Sequence, residues 1–282
     1  MNHREDAFEG AGGIRLFSQL WRPEGKPRAV LAIVHGFGEH SGRYLNIARR
    51  YVPLGYAVHA FDLRGHGRSP GQRGHVNAWA EYREDLQAFL AYSAKKAPGC
   101  PVFLFGHSLG SLIALDYVLH HPEGVQGLIL SGTAVDPVAV AKPLLVAIAR
   151  FLSRFWPSFR LKVKLDPGAL SRLPNIAGEY LSDPLVHGDA SARWGTEALG
   201  AIAWVKAHAS ELKLPLLVLH GEADRLNSLA GAQQVFDAAG SSEKRLALLP
   251  GGFHEPHNDS GREKIFMVLE EFLGARLAAA AA

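Results

Sequence analysis

One serine of this chain stands in a context that can make its hydroxyl reactive. Ser108 lies between Gly106 and Gly110, after the apolar run 102–105 and before a second apolar run at 111–115. A strand that turns sharply into a helix needs small residues around the turn, and the strained turn exposes the serine hydroxyl at the edge of a sheet. We therefore expect Ser108 to be the nucleophile of an acyl-transfer reaction. The same five residues also fit a strand and a helix joined by glycines without chemistry, so the rest of the chain must distinguish the two.

A serine hydroxyl needs a base to take its proton and a third group to orient that base. In an open parallel sheet these groups belong on loops at the carboxyl ends of the strands. Asp224 follows the predicted strand 214–219, and His254 follows the predicted strand 245–249. We therefore predict that His254 is the general base and that Asp224 orients it.

Other side chains compete for these two roles. Asp62 follows a strand but precedes the serine in the chain, and Glu222 lies two residues from Asp224, so both are less favoured as the acid. His257 is three residues beyond His254 and is the second candidate for the base. Histidines at other strand ends are expected to be neutral and bonded to backbone; they are His35, His107 and His220.

These histidines do not predict a metal site. His254 and His257 are separated by Glu255 and Pro256, and proline breaks the helix that would place two imidazoles on one face. The single cysteine, Cys100, lies in a predicted turn and cannot form an internal disulfide. We expect neither a metal nor another cofactor.

Acyl transfer passes through a tetrahedral oxyanion, which two N–H donors must stabilise. The backbone N–H of Leu109, directly after the serine, is the first expected donor. The loop 36–38 follows the predicted strand 29–34 and has a glycine on each side of Phe37, which lets the backbone approach a ligand closely. The backbone N–H of Phe37 is the second expected donor.

The elements that must position these residues alternate between two kinds of pattern. Short apolar runs typical of buried strands alternate with helix-like periods, which predicts a mostly parallel sheet flanked by helices. An antiparallel hairpin is expected over 6–21. The further predicted strands are 29–34, 56–61, 102–105, 125–130, 214–219 and 245–249, and the predicted helices include 44–54, 77–96, 230–239 and 262–277.

The strand pattern breaks between 133 and 196, where six prolines occur. We predict that this segment is a helical cap, or lid, inserted into an α/β catalytic domain made of 1–132 and 197–277. The closing alanines, 278–282, are expected to be a frayed tail. The cap carries one apolar helical stripe with basic residues between its members: Leu145, Ile148, Phe151, Leu152, Phe155 and Trp156, with Lys142, Arg150 and Arg154.

Two explanations of the cap stripe stay open at this stage. An amphipathic apolar helix fits an acyl tunnel and transient contact with a lipid surface. Alternatively, Leu145, Ile148, Leu152 and Phe155 bury the cap on the core. Both can hold if one face packs while Trp156 or Phe159 lines the entrance.

The overall composition is that of a globular protein with a substantial core. Of the 282 residues, 48% are hydrophobic and 20% are charged, and the net charge is +3. Basic residues form only pairs, at 49–50 and 95–96, which disfavours a nucleic-acid groove. The first residues are polar and lack the apolar segment of a secretion signal, so we expect a cytoplasmic protein.

Five segments carry a resemblance to a known family. They are HGFGEHSGRY at 35–44, DLRGHGRS at 62–69, GHSLG at 106–110, HGEAD at 220–224 and FHE at 253–255. Together they resemble the α/β-hydrolase superfamily and, within it, the branch of monoacylglycerol lipases and lysophospholipases. The first segment is the most specific, because it distinguishes this branch from the esterases that have a run of glycines in the oxyanion loop. The superfamily also has its nucleophile, acid and base in the order found for Ser108, Asp224 and His254.

The resemblance implies roles for further residues. It implies that Phe37 and Leu109 are the oxyanion donors, and that Glu39, Arg43 and His257 bind the glycerol hydroxyls of a monoacylglycerol. For Glu39 and Arg43 a salt bridge that fixes the loop is an equally good explanation.

These observations lead to one expected function and several rivals. We expect a serine carboxylester hydrolase that acts on monoacylglycerols and related medium- or long-chain esters through an acyl-enzyme. Rivals are a broad esterase or an enzyme for thioesters, lysophospholipids or small peptides. A dehalogenase is disfavoured because position 108 would have to carry a carboxylate. A rival from another class is an inactive hydrolase fold that binds a hydrophobic ligand.

Overall fold

The computed structural model describes residues 1–138 and 143–281 and contains one large sheet with helices on both faces. Its strands are β1 (Asn2–Glu9), β2 (Arg15–Arg22), β3 (Ala29–Val34), β4 (Tyr56–Phe61), β5 (Val102–His107), β6 (Gly127–Ser131), β7 (Arg160–Lys162), β8 (Asp189–Ser191), β9 (Leu216–Gly221) and β10 (Lys244–Leu249). Its helices are α1 (Leu45–Tyr51), α2 (Ala80–Lys96), α3 (Leu109–His120), α4 (Pro143–Phe155), α5 (Pro174–Ser182), α6 (Ala192–His208), α7 (Leu229–Ala238) and α8 (Arg262–Ala281).

The large sheet has eight strands in the order β1-β2-β4-β3-β5-β6-β9-β10. The pairs β1–β2 and β2–β4 are antiparallel, whereas β4, β3, β5, β6, β9 and β10 run parallel to one another. The α/β fold with a mostly parallel sheet is therefore confirmed. Because parallel strands end at one edge, the loops after β3, β5, β9 and β10 meet there.

The apolar runs of the sequence form strands that are covered on both faces, as their continuous hydrophobicity predicts. In β3, Val30, Ala32 and Val34 belong to one core cluster, while Leu31 and Ile33 belong to the other. The first core lies between the sheet and α2, α3, α6 and α7, and the second lies under α1 and α8.

Several helices begin or end at other residues than the sequence predicts. The predicted helix 44–54 is a 3-10 turn at Ser41–Tyr44 followed by the shorter α1, and the helix predicted from 77 begins at Ala80. The prediction of a frayed alanine tail after 277 was wrong in part, because α8 continues to Ala281. Alanine has the highest helix propensity, so the tail extends the helix.

The segment between β6 and β9 contains helices α4, α5 and α6, as a helical cap requires, and also two short strands that the sequence did not reveal. β7 and β8 pair antiparallel over three residues each, too short to give a period-2 signal. The boundary predicted at 196 falls inside α6, whose Ala198, Ala201 and Val205 lie in the main core. At the other end, Val135 is also part of that core.

Two members of the predicted cap stripe lie outside what is described: residue Lys142 and the side chain of Leu145. Ile148 and Phe155 are exposed, so they do not bury the cap on the core. Within the described chain, no helix is long and apolar enough to cross a membrane.

Candidate active site

The turn at Ser108 has the strained geometry that its flanking glycines predict. Ser108 has φ 50° and ψ −121°, and it is the only non-glycine residue of the described chain with positive φ. Such backbone costs roughly 1–3 kcal/mol and persists only where the surroundings enforce it. A Cβ on Gly110 would overlap the carbonyl oxygen of Val34, and a Cβ on Gly106 would overlap that of Gly110. The small residues are therefore required by the packing of β3, β5 and α3.

The predicted base and acid are joined. His254 Nδ1 lies 2.8 Å from Asp224 Oδ2, and Asp224 Oδ1 accepts from the backbone N–H of Leu226 at 2.8 Å and of Asn227 at 3.0 Å. These bonds fix the carboxylate, so that Nδ1 of the imidazole carries the proton and Nε2 is left for Ser108. No hydrogen bond joins Ser108 Oγ to His254 among the described residues.

His254 lies beside the elbow. Its ring centre is 4.9 Å from that of His107, the residue before Ser108. Both rings pack closely against Gly132, just after β6. A Cβ at this position would lie 3.1 Å from His254 Cε1 and 3.2 Å from His107 Cε1, so a side chain there would crowd both rings. The structure thus brings Ser108, His254 and Asp224 together at the carboxyl edge of the sheet.

The imidazole of His254 is protonated more readily than that of a histidine in water. Burial of the His254 ring disfavours its charged form, but the Asp224 carboxylate and its hydrogen bond outweigh this and raise the pKa of His254 above 6.5. Burial likewise opposes ionisation of Asp224, yet His254 and the backbone donors lower the pKa of Asp224. The carboxylate therefore stabilises the imidazolium that a proton transfer would create.

Both predicted oxyanion donors are near the serine. Leu109 is the first residue of α3, where backbone N–H groups point outward and the helix dipole favours negative charge. The loop with Phe37 lies against the elbow, since a Cβ on Gly36 would lie 3.2 Å from Ser108 Cβ. Among the described residues, neither Phe37 N–H nor Leu109 N–H has an acceptor.

His35 holds the peptide that carries the Phe37 N–H. Its Nε2 accepts from the backbone N–H of Leu63 at 2.9 Å, so its Nδ1 carries the proton and donates to Gly36 O at 2.7 Å. Burial lowers the pKa of His35, which keeps the ring neutral. The expectation that His35 is a neutral, backbone-bonded histidine agrees with these contacts.

Glu39 and Arg43 form the salt bridge that was one of their two predicted explanations. Arg43 Nη1 lies 2.6 Å from Glu39 Oε2. The other oxygen, Glu39 Oε1, accepts from Gly36 N–H at 2.6 Å and from the Tyr44 hydroxyl at 2.7 Å. Arg43 also binds Glu255 with two bonds, of 2.7 and 2.9 Å. Glu39 therefore holds the loop of Phe37 on its second side.

His257 lies on the inner side of this cluster. It stacks on the Tyr44 ring at 5.1 Å and lies edge-on to His107 at 4.9 Å. Burial lowers the pKa of His257 to about 3, so the ring is neutral. Its Nδ1 is buried without a partner among the described residues. In contrast to His254, it has no carboxylate bonded to its ring, which makes it the weaker candidate for the base.

The other competing side chains have structural partners. Asp62 is buried and accepts from the backbone N–H of Ser41 and Arg68. Glu222 is exposed and accepts from the backbone N–H of Gly251. His220 Nε2 lies 3.2 Å from Asn227 O and 3.4 Å from Asp224 Oδ2, which places it behind the acid.

Comparison with known proteins gives the family of this chain. The Hydrolase_4 family model, described as serine aminopeptidase, S33, matches residues 25–261. The chain belongs to this family. It is 36% identical to a monoacylglycerol lipase of Mycolicibacterium smegmatis, over 90% of this chain and 91% of that protein. It is 34% identical to human monoglyceride lipase, over 88% of this chain and 82% of that protein.

A solved structure agrees with this family assignment. The crystal structure of a Paleococcus ferrophilus monoacylglycerol lipase superimposes with a TM-score of 0.82 and 30% identity, covering 97% of this chain and 99% of that one. The resemblance that the five sequence segments carry is therefore confirmed over nearly the whole length of this Hydrolase_4 family member.

The cap contributes contacts to this site that the sequence analysis missed. His187 N–H donates to Gly38 O at 2.9 Å, and the Phe37 ring lies 4.6 Å from that of Trp194. Asp183 binds His40 Nε2 at 2.8 Å. Only the contrast between apolar and polar stretches was available from the sequence, and none of these three cap residues stands in a recognisable motif.

Proposed function

We propose that this member of the Hydrolase_4 family is a serine carboxylester hydrolase that cleaves monoacylglycerols and related medium- or long-chain acyl esters. The observation that carries the proposal is the strained Ser108 beside the buried His254–Asp224 pair. The names of the relatives, monoacylglycerol lipase and monoglyceride lipase, support the substrate class.

The reaction proceeds by two acyl transfers. Ser108 Oγ attacks the ester carbonyl while His254 Nε2 takes the hydroxyl proton, and the same proton then goes to the departing alcohol oxygen. Water next attacks the acyl-serine while His254 takes its proton, and the imidazolium gives that proton to Ser108 Oγ as the fatty acid leaves. Asp224 keeps the imidazole in one tautomer throughout. The chemistry requires no metal or other cofactor.

The oxyanion of each tetrahedral intermediate lies between the Phe37 and Leu109 N–H groups. Loss of one such donor typically raises the barrier by about 3–4 kcal/mol. His35 and Glu39 support this arrangement because they hold the Gly36 carbonyl and N–H on either side of the donor loop.

The glycerol moiety is proposed to bind toward Glu39, Arg43 and His257. Arg43 uses three of its N–H groups for Glu39 and Glu255, so two remain for substrate hydroxyls. The bonds of Glu39 favour its other role, the fixing of the oxyanion loop. His257 and Arg43 are therefore the stronger candidates for direct glycerol contact.

The cap is proposed to enclose the acyl chain and to make transient contact with lipid surfaces. Phe151, Phe155 and Trp156 are 63%, 68% and 59% exposed, which is unusual for large apolar side chains so close together. Arg150 and Arg154 lie among them and suit an anionic interface. We propose that the segment 133–196 forms the cap and that it shares Val135 and α6 with the core, and we propose a cytoplasmic location.

Other acyl substrates remain alternatives of the same chemistry: other carboxylesters, lysophospholipids, thioesters and small peptides. The peptide alternative draws on the family description, serine aminopeptidase. A ligand carrier without turnover is less favoured, because it gives no reason for the strained Ser108.

A substrate series tests the proposal. Purified protein would be given monoacylglycerols from acetyl to stearoyl chains, a triacylglycerol, lysophosphatidylcholine and an aminoacyl amide, with Ser108→Ala as the blank. We expect the highest kcat/KM on monoacylglycerols of medium to long chains. A sharp optimum at the acetyl ester, or a preference for the amide, would reject the substrate class, and activity in Ser108→Ala would reject the mechanism.

A further inference from the structure

The loop that carries His254 joins β10 to α8 and is held at both ends by one cap residue. We propose that Arg172 is a positioning residue for His254, acting through Asp259 and the backbone of this loop. This inference rests on the proposed function of the site, since it assigns a role in the same reaction.

The Arg172 guanidinium binds both ends of the loop. Its Nη1 donates to Pro250 O at 3.1 Å, just after β10, and its Nη2 donates to Ser260 O, just before α8. Its Nε lies 3.1 Å from each oxygen of Asp259. A planar guanidinium can reach three acceptors in this way, whereas an ammonium group cannot.

Asp259 transmits the contact to the base. It is fully buried, and its Oδ2 accepts from the backbone N–H of Phe253, the residue before His254, at 2.7 Å. Its Oδ1 accepts from the backbone N–H of Arg172 at 2.8 Å and of Ser260 at 2.7 Å. One carboxylate therefore joins the cap, the base side of the loop and the start of α8.

Backbone bonds from the cap continue along the same loop. His254 N–H donates to Ala169 O at 3.2 Å, and Glu255 N–H donates to Leu170 O at 2.8 Å. The end of the 3-10 turn Pro167–Ala169 and the residue after it thus lie directly beside the backbone of the base. His254 is held by Asp224 at its ring and by this segment at its backbone.

The charge of Arg172 balances the buried negative charge of Asp259. Within the described chain, Arg172 is the only side chain that forms an ion pair with Asp259. Without it, the buried carboxylate keeps backbone donors but loses its counter-ion, which favours loosening of the loop or entry of water. Either change lengthens the His254–Asp224 contact on which proton transfer depends.

A role in positioning predicts effects that a merely structural role does not. Misplacement of a catalytic group by about 1 Å can cost about 100-fold in rate. We expect Arg172→Met to lower kcat about 10- to 100-fold with KM nearly unchanged, because the interaction lost acts in the transition state. A weaker contact to Asp224 also lowers the pKa of His254, so the acid limb of the pH–kcat/KM profile moves to lower pH.

Arg193→Met is the matched control. Arg193 lies in the first turn of α6 and its side chain has nearly the same exposure, 33% against 31% for Arg172. It bonds to Ser153 O at 2.9 Å within the cap and does not touch the base loop. We expect it to leave kcat and the acid limb as in wild type. Arg172→Lys should be intermediate, and it replaces Arg172→Met if the latter does not fold.

The inference is overturned if Arg172→Met or Arg172→Lys lowers the Tm while kcat and the acid limb stay at wild-type values. It is also overturned if Arg193→Met lowers kcat as much as Arg172→Met does. Ser108→Ala, assayed in parallel, separates this from failure of the proposed function: if Ser108→Ala is as active as wild type, the mechanism itself is wrong. If Ser108→Ala is inactive and Arg172→Met is normal, only the role of Arg172 is wrong.

Discussion

The carboxyl edge of the sheet and the outer cap helix α4 use apolar and polar side chains in opposite ways. At the edge, Asp224, Glu39 and Glu255 are buried charges, each with several defined partners. On α4, Phe151 and Phe155 are apolar and exposed, with ring centres 4.8 Å apart. At the edge, buried polar groups are held in one geometry by hydrogen bonds and ion pairs, whereas on α4 apolar side chains remain exposed to solvent.

This difference separates two tasks. Proton transfer and oxyanion binding need atoms fixed within a fraction of an ångström, which a network of buried hydrogen bonds on sheet-edge loops provides. Admission of a long acyl chain needs apolar surface that can contact varied partners. The inner cap, at 169–191, belongs with the edge, because it bonds to Gly38, His40 and the base loop.

The largest expected effect at the edge concerns the acid. Asp224→Asn keeps the shape but lets the amide favour the wrong tautomer of His254, and we expect kcat to fall about 10⁴-fold. Glu222→Gln is the matched control, because it changes an exposed carboxylate two residues away. Initial rates on a monoacylglycerol would measure both. Equal rates for the two variants would show that Asp224 is not the acid of the triad.

The next effect concerns pH. Since the pKa of His254 is raised above 6.5 and only the neutral ring can accept the proton, kcat/KM should rise with pH and level off above that pKa. Below it, kcat/KM should fall about tenfold per pH unit. Chromatographic measurement of released fatty acid across the pH range would show this. A midpoint at or below 6.5 would contradict the Asp224 contact as the dominant influence.

The smallest effect concerns α4. Phe151→Ser should leave the free energy of unfolding within about 0.5 kcal/mol of wild type, because the side chain is exposed. We expect it to reduce hydrolysis of vesicle-bound long-chain monoacylglycerol several-fold while a soluble short-chain ester is unaffected. Met267→Ser, at a 55% exposed position on α8, is the control. If both variants lose the same activity on vesicle-bound substrate, α4 has no special role in contact with the lipid surface.

The sequence predicted the sheet well because short apolar runs bounded by turn residues are typical of strands covered on both faces. The tight turn at Ser108 and the contact of His254 with Asp224 were also predictable, since strand ends are visible as the points where apolar runs stop. The cap was predicted less accurately. α6 serves both the cap and the core, so the composition does not change at 196, and β7 and β8 are too short to show alternation.

The supporting residues could not be found from the sequence. Glu255 and Asp259 are charged residues that burial would ordinarily disfavour, and each has an arginine, Arg43 or Arg172, as its counter-ion. Those pairs join residues 212 and 87 positions apart, respectively. No local pattern carries information at such separations.

The central claim is that Ser108 is the nucleophile that His254 activates. Its most direct test is the intact mass of the protein after incubation with a fluorophosphonate, followed by peptide mapping. We expect one adduct, on Ser108, in wild type and none in Ser108→Ala. An unmodified wild-type protein, or an adduct of equal yield in Ser108→Ala, would contradict it.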